Sequence, residues 1–182
     1  MVVDSSAIIA ILLNEPGAEL TDMPFAVTRA TAPTSAIKSL IAELDEFLAG
    51  GYTPEQRHGI SLDAIFKPGI EFFTASAEGE AIGCAGIALY PNFGEVKRMY
   101  VRPAWRGRGA AQALMARLTA SARAAGLSLL RLETGINQPA ALKFYQREGF
   151  VPCPAFEPYA SMPPASIVTS LFFEKQLVGA EI

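Results

Sequence analysis

Two hydrophobic rhythms alternate along the chain. Where apolar residues return every three or four positions a helix is predicted, and where they alternate a strand is. The opening VVDSSAIIAILLNEPGAE reads as a short strand and then a helix, with Asp4 or Ser5 as cap and Pro16-Gly17 as stop. Phe25–Ala30 alternates like a strand. Thr34 or Ser35 then opens a helix whose Ile37, Leu40, Ile41, Leu44 and Leu48 share one face, closed by Gly50-Gly51. GYTPEQRHG reads as a polar loop, and Ser61 caps a short helix ending near Lys67-Pro68-Gly69. Three strands follow at Ile70–Ser76, Ala81–Tyr90 and Glu95–Val101, the first two joined by a Glu78-Gly79-Glu80 turn.

Gly107–Ala125 is predicted as a long helix, with Ala111, Leu114, Met115, Leu118 and Ala122 on one face. Leu127–Glu133 is a strand, Gln138–Glu148 a helix, and Phe150-Val151 and Ile167–Glu174 the last strands. Pro152 to Pro164 is proline-rich and irregular. This order gives a mixed α/β sheet with flanking helices, not a regular βαβ repeat.

Composition narrows the function. At 182 residues the chain fits one domain with a substantial core, and 51% apolar with 18% charged residues describes a globular protein. Its longest apolar run, Ala7–Leu13, is too short to span a bilayer and lacks the flanks of a signal peptide, so no membrane partner is expected. A net charge of -3 argues against a nucleic-acid partner. Cys84 and Cys153 are too few for a disulfide framework or a zinc site, so a reducing cytoplasm and no metal are expected. A single histidine, His58, disfavours chemistry that needs several.

The most informative stretch is VKRMYVRPAWRGRGAAQALM, Val96–Met115. A buried strand runs into Pro103, and Arg106-Gly107-Arg108-Gly109 then opens an alanine-rich helix. The first N–H groups of a helix have no internal partner and lie at the positive end of its dipole. Glycines let a bulky phosphate approach that backbone, and Arg102, Arg106 and Arg108 add positive charge. The pattern describes a pyrophosphate cradle. It is no Walker A loop, lacking Gly-Lys-Ser/Thr, and no dinucleotide fingerprint, since Gln112 stands where the third glycine would be.

These residues resemble the GNAT family of acyl-CoA-dependent N-acetyltransferases. Arg106-Gly107-Arg108-Gly109-Ala110-Ala111 satisfies that family's Gln/Arg-x-x-Gly-x-Gly/Ala signature, and ALKFYQREGF (Ala141–Phe150) is similar to its second hallmark. The resemblance runs from about Phe25 to Leu177. It implies the GNAT acyl-CoA N-acyltransferase fold, a central and mostly antiparallel sheet with flanking helices. It also implies acetyl-CoA as cosubstrate and direct transfer to a primary amine of a small molecule, amino acid or peptide, without an acyl-enzyme.

Residue by residue, the resemblance implies that backbone N–H groups of Arg106, Gly107, Arg108, Gly109, Ala110 and Ala111 hold the CoA pyrophosphate. The backbone of Met99, Tyr100 and Val101 pairs with the pantetheine arm, and an N–H there faces the thioester oxygen. Asn137 or Gln138 contacts the pantetheine, and Lys143 and Arg147 the nucleotide phosphates. Tyr145 stands where many members place the acid that protonates the leaving thiolate, and a neutral phenol suits that task. Glu95, eleven residues before Arg106, resembles the catalytic base of the histone-acetyltransferase branch, and a water chain is the alternative. Cys84 reads as a core residue.

The resemblance also implies that the first two helices and their loop line the acceptor pocket, a region that here includes Asp45, Glu46, Tyr52, Glu55, Gln56, Arg57 and His58. The acidic members suit an ammonium group, Arg57 an acceptor carboxylate, and His58 either a second base or a capping role. Phe156–Pro164, with Tyr159, is expected to form the other wall. A monomer or a homodimer fits equally. A non-catalytic acyl-CoA-binding module on the same fold is the alternative function, and Tyr145 and Glu95 favour the enzyme.

Residues 2–19 resemble instead the opening of PIN-domain toxin ribonucleases, where Asp4 would help hold a divalent metal. The other acidic ligands of such a nuclease have no room here. Residues 1–22 are therefore expected to be an extraneous leader: a truncated remnant, a recombined piece or a misassigned start. Residues 23–182 then form the acetyltransferase domain, with Met23 its natural start. The rival expectation is that Ala7–Leu13 docks on the domain or mediates pairing.

Overall fold

The computed structural model describes residues 25–177. The leader, Asp4 and Met23 lie outside the described residues, as does everything expected of them. The first described strand, β1, is Ala26–Ala30, and Thr34 then caps helix α1 (Ser35–Ala49), its Oγ1 accepting the Ile37 N–H at 3.3 Å. A 3-10 turn at Pro54–Gln56 and a short helix α2 (Leu62–Ile65), capped by Ser61, occupy the connection that the polar pattern marks as loop. Strands β2 (Ile70–Ala77), β3 (Glu80–Leu89) and β4 (Gly94–Val101) form a meander. Helix α3 (Ala110–Ala124), strand β5 (Leu129–Gly135) and helix α4 (Pro139–Arg147) follow. Strand β6 (Val151–Pro152), helix α5 (Pro164–Ile167) and strand β7 (Ser170–Gln176) complete the described chain.

Two expected starts move by three residues. α3 begins at Ala110, not Gly107, because Gly107 (φ 74°) and Gly109 (φ 97°) are left-handed and cannot lie inside a right-handed helix. Ile167 ends α5 instead of opening β7, since Pro164 supplies the first helical turn there.

The seven strands run in the order β1-β2-β3-β4-β5-β7-β6, antiparallel everywhere except between β4 and β5. Helices cover both faces. Leu114 and Leu118 of α3 and Phe144 of α4 pack with Phe73, Ile87 and Leu132 on one side. Ile37, Leu40 and Leu44 of α1 and Ile65 of α2 pack with Phe72 on the other. The successive Phe72 and Phe73 thus anchor opposite cores, as strand alternation requires.

Two irregularities of β4 create the site. The parallel pairing to β5 covers only Gly94↔Leu130, Glu95↔Arg131 and Val96↔Leu132, although both strands continue beyond it. From Lys97 onward the two strands diverge. On its other edge β4 pairs Cys84 with Tyr100 but Gly86 with Lys97, so it holds one residue more than β3 there. Arg98 takes the left-handed conformation that this β-bulge needs (φ 52°).

Candidate active site

The divergence of β4 from β5 opens a cleft of about 440 Å³. Met99, Tyr100 and Val101 line one wall, and Asn137, Gln138 and Tyr145 are among the residues of the other. Arg106, Gly107 and Ala111 stand at the α3 end. The first hydrogen bond of α3 runs from the Ala113 N–H to the Gly109 carbonyl at 3.0 Å. The N–H groups before Ala113 therefore have no carbonyl within the helix to reach. Arg108, Gly109 and Ala110 form the turn and cap outside the lining, and Ala110 is buried. A Cβ on Gly107 would meet nothing within 4 Å, so the glycine leaves open space in front of the turn. An anion held by main-chain N–H groups fits this place.

The arginines of the turn do not converge as the sequence suggests. Arg102 points to the α1 side of the sheet, where Glu43 takes its Nη2 at 2.8 Å and Glu80 pairs with its Nη1. Pairing draws the Glu43 carboxyl below its ordinary range, the Arg102 hydrogen bond being the largest cause. The Arg106 Nε donates to the Val101 carbonyl at 2.9 Å, with the guanidinium over the rings of Phe47 and Tyr100. Arg108 stacks on Trp105. Arg147 lines the cleft, whereas Lys143 is exposed outside it.

A second, smaller cavity of about 100 Å³ adjoins the cleft, and Leu44, Met99, Gln138 and Tyr145 line both. Tyr145 is buried, and burial, then the Glu133 charge, raises its phenol well above the ordinary value. Its ring packs edge-on against Phe144 and Phe150.

The walls of the smaller cavity are charged. Lys97 and Arg98, successive residues, both line it, because the bulge turns two neighbours to the same face. Glu133 on β5 lines it too, its Oε1 accepting the Ser170 hydroxyl at 2.6 Å. Burial is the largest cause raising the Glu133 carboxyl above its ordinary value, against the pull of Ser170, His58 and Lys97. Arg57, His58 and Tyr159 complete the charged and polar lining used below.

Glu95 does not reach either lining. Its side chain is fully buried, its Oε1 accepting the Tyr159 hydroxyl at 2.6 Å and facing Lys97 Nζ at 2.7 Å. Lys97 also donates to Tyr159 Oη at 2.6 Å. The expected strand-start base is thus a carboxylate one layer behind the cavity, screened by two residues that line it. The reason is alternation: Glu95 and Lys97 share a face, and the longer Lys97 lies between Glu95 and the open space. Burial, followed by the Glu95 charge, drives the Tyr159 phenol far above its ordinary value.

The loop bearing Arg57 and His58 is tied at three points. The Asn137 N–H donates to Tyr52 Oη at 2.8 Å, His58 Nε2 bonds the Ser166 carbonyl at 3.1 Å, and Arg98 Nε donates to the Ile60 carbonyl at 2.7 Å. Arg98 also pairs with Asp45 of α1. Tyr52 approaches β5 so closely that a Cβ on Gly135 would lie 2.1 Å from its Oη. Side chains from α1, this loop, β4, β5, α4 and the Pro152–Pro164 stretch therefore meet in one small space. Glu133 and Lys97 are the residues that sequence reasoning missed. The signal was present in part, since Arg131 and Glu133 alternate with the core residues Leu130 and Leu132. Cys84 is fully buried, its thiol pushed up to about 12 by burial, as suits a core residue.

Among the described residues no helix is long and apolar enough to cross a membrane, and no group of three or more His, Cys, Asp or Glu is placed to hold a metal. The model of the Acetyltransferase (GNAT) family matches residues 37–150. The chain is 39% identical to the IAA acetyltransferase of Azospirillum brasilense over 153 residues, 83% of this chain and 97% of that protein. A solved acyl-CoA N-acyltransferase-type structure from Klebsiella pneumoniae is 35% identical, with a TM-score of 0.70 over 84% of this chain and 97% of the other. The PaiA N-acetyltransferase of Thermoplasma acidophilum, solved with coenzyme A, shares the fold at 16% identity (TM-score 0.64; 85% of this chain, 99% of the other).

Proposed function

We infer that this chain, which belongs to the GNAT acetyltransferase family and is an acetyl-CoA-dependent N-acetyltransferase, moves the acetyl group directly to a primary amine seated in the smaller cavity. The observation that carries this reading is the position of Tyr145 on the shared boundary of the two cavities. The thioester of acetyl-CoA is the activated acyl donor. The turn from Arg106 to Ala111 binds its pyrophosphate through backbone N–H groups. Met99, Tyr100 and Val101, freed from pairing with β5, hold the pantetheine arm as an added strand. Asn137 and Gln138, both in the cleft wall, face that arm from the other side.

An ammonium group must lose a proton before its nitrogen can attack. Glu133 takes that proton. It lines the cavity, and its raised carboxyl is a stronger base than an ordinary glutamate. Tyr145 gives a proton to the departing thiolate, and its elevated value keeps the phenol protonated until then. Glu95 acts through other residues: it fixes Lys97 and Tyr159 in the wall that orients the acceptor. Residues 23–182 are proposed as the acetyltransferase domain.

The test is acetyl-CoA binding by calorimetry together with CoA-thiol release in the presence of primary amines. Binding at one site per chain, with amine-dependent thiol release that Tyr145→Phe lowers about a hundredfold, supports the assignment. Binding with Tyr145→Phe turnover unchanged removes Tyr145 from the mechanism. Absence of binding by folded protein overturns the cleft assignment.

A further inference from the structure

The smaller cavity carries a charge pattern that the transfer reaction alone does not need. Two of its charged groups are neutralised by carboxylates outside the lining. Lys97 faces Glu95 at 2.7 Å, and Arg98 pairs with Asp45. Two charges remain without an ion-pair partner among the described residues, Glu133 and Arg57. Glu133 is bonded to a hydroxyl, that of Ser170. Arg57 has a buried Nε with no hydrogen-bond partner, and Glu55, a carboxylate whose charge it feels, is exposed to solvent. A buried guanidinium nitrogen without an acceptor is costly unless a ligand supplies one.

The placement of Arg57 is built. It lies in the segment bounded by Tyr52, His58 and Ile60, the three residues through which the loop is tied to the β5–α4 connection, α5 and β4. A guanidinium carried by a tied loop on one wall and a carboxylate on another, in about 100 Å³, make a site of two opposite charges. A planar fork of donors fits a carboxylate or phosphonate better than a single carbonyl.

We propose that the acceptor is a small zwitterion, an amine carrying a carboxylate or phosphonate group a few bonds from its nitrogen, with Arg57 binding the acid group and Glu133 facing the amine. This rests on the reading of the chain as an N-acetyltransferase and narrows its substrate class. It also gives Arg57 a recognition role, separate from the transfer itself.

The experiment pairs acids with neutral counterparts in the full-length protein. Glycine, β-alanine and 4-aminobutanoate are compared with their amides, and aminomethylphosphonate and 2-aminoethylphosphonate with their diethyl esters. CoA-thiol release is followed at saturating acetyl-CoA. The neutral partners carry the less basic amines, so a preference for acids cannot come from a larger free-amine fraction. The expected result is a kcat/KM for at least one acid about 30-fold or more above its neutral partner, the scale of a charge-assisted hydrogen bond. The ratio between the carboxylate and phosphonate arms assigns the head group. Arg57→Gln is expected to collapse the preference to within about threefold by raising the acceptor KM, and Arg57→Lys to restore part of it. Both variants should bind acetyl-CoA as the parent does, which reports the fold. Turnover of neutral amines at equal or better rates overturns the proposal, as does a preference that survives Arg57→Gln. Turnover of none of these amines while acetyl-CoA still binds overturns it too. Loss of acetyl-CoA binding in the parent protein would instead strike the N-acetyltransferase reading beneath it.

Discussion

The two cavities meet at Tyr145 and are built in opposite ways. The larger is walled by main chain: a strand edge released from pairing, a left-handed turn and the start of a helix. The smaller is walled by side chains brought from six segments, the charged ones from the α1–α2 loop, β4 and β5, with hydrogen bonds among them. A backbone site recognises what is common to all acyl-CoA thioesters. A side-chain site recognises one acceptor. The same contrast separates tolerance from sensitivity: surface side chains around the first can change freely, while a change at Arg57, Lys97, Arg98 or Glu133 alters the charge of the second.

The strongest test of that contrast is Glu133→Gln. Removing the base should lower kcat/KM for the acceptor about 10²–10³-fold and leave acetyl-CoA affinity unchanged. The parent should lose activity on acidification as Glu133 protonates, at a pH above the ordinary 4.5 because its carboxyl is raised. The variant should lack that limb. A carboxyl raised in the folded state destabilises the fold once ionised, so stability falls as pH rises through it. Glu133→Gln should therefore raise Tm at neutral pH, and a fall in Tm with the acid limb intact would sink the assignment.

Glu95→Gln should act in the opposite direction. It strips the buried Lys97 of its counter-charge and should cost about 3 kcal/mol, or on the order of 10 °C in Tm. Its kcat/KM loss should come mainly through the acceptor KM, with the pH limb retained. Similar pH profiles for Glu95→Gln and Glu133→Gln would show that the two carboxylates work as one unit.

Gly109→Ala probes the other cavity. A Cβ at φ 97° is strained by about 1–3 kcal/mol. The turn should shift, weakening acetyl-CoA about tenfold in calorimetry without changing the acceptor KM. The smallest effect is expected at Glu43→Gln, which lines neither cavity and touches the cleft wall only by accepting the Tyr100 hydroxyl at 3.3 Å. The half-exposed pair with Arg102 is worth at most about 1 kcal/mol. Because pairing lowers the Glu43 carboxyl, that stability is present above the ordinary carboxylate range and is lost as pH falls through the lowered value. Denaturant midpoints of parent and variant should thus differ at pH 7 and converge in acid.

The contrast also explains what the sequence reveals. The cradle is legible because its parts are adjacent: Arg106 to Ala111 state a turn and a helix start in six letters. Tyr145 is legible through its neighbours in ALKFYQREGF. The acceptor wall is not, because Arg57, Lys97, Glu133 and Tyr159 come together only through tertiary folding. Glu95 illustrates the difference. Its position in the chain agrees with a base, yet the depth of its burial depends on Lys97 and Tyr159, the second of them 64 residues away. Arg102 is misjudged for the same reason, its partners Glu43 and Glu80 lying on other elements.

A strand is a pattern of period two, and the extra residue in β4 is a half-period slip in it. Val96 and Val101, an odd number apart, share one core, while Tyr100 enters the other. Excising Arg98 outright would bring the strand back into phase with β3. Tyr100 and Val101 would keep Cys84 and Gly83 as partners, and with them their sides of the sheet, but the second of two neighbouring wall residues would be gone, with its ties to Asp45 and Ile60. A substitution at this position edits one group in one wall, whereas a deletion also removes the local bend that the bulge gives β4. What the bulge stores is therefore a count of residues rather than a kind of residue, and a comparison of sequences that scores identity but tolerates gaps in β4 passes over its loss.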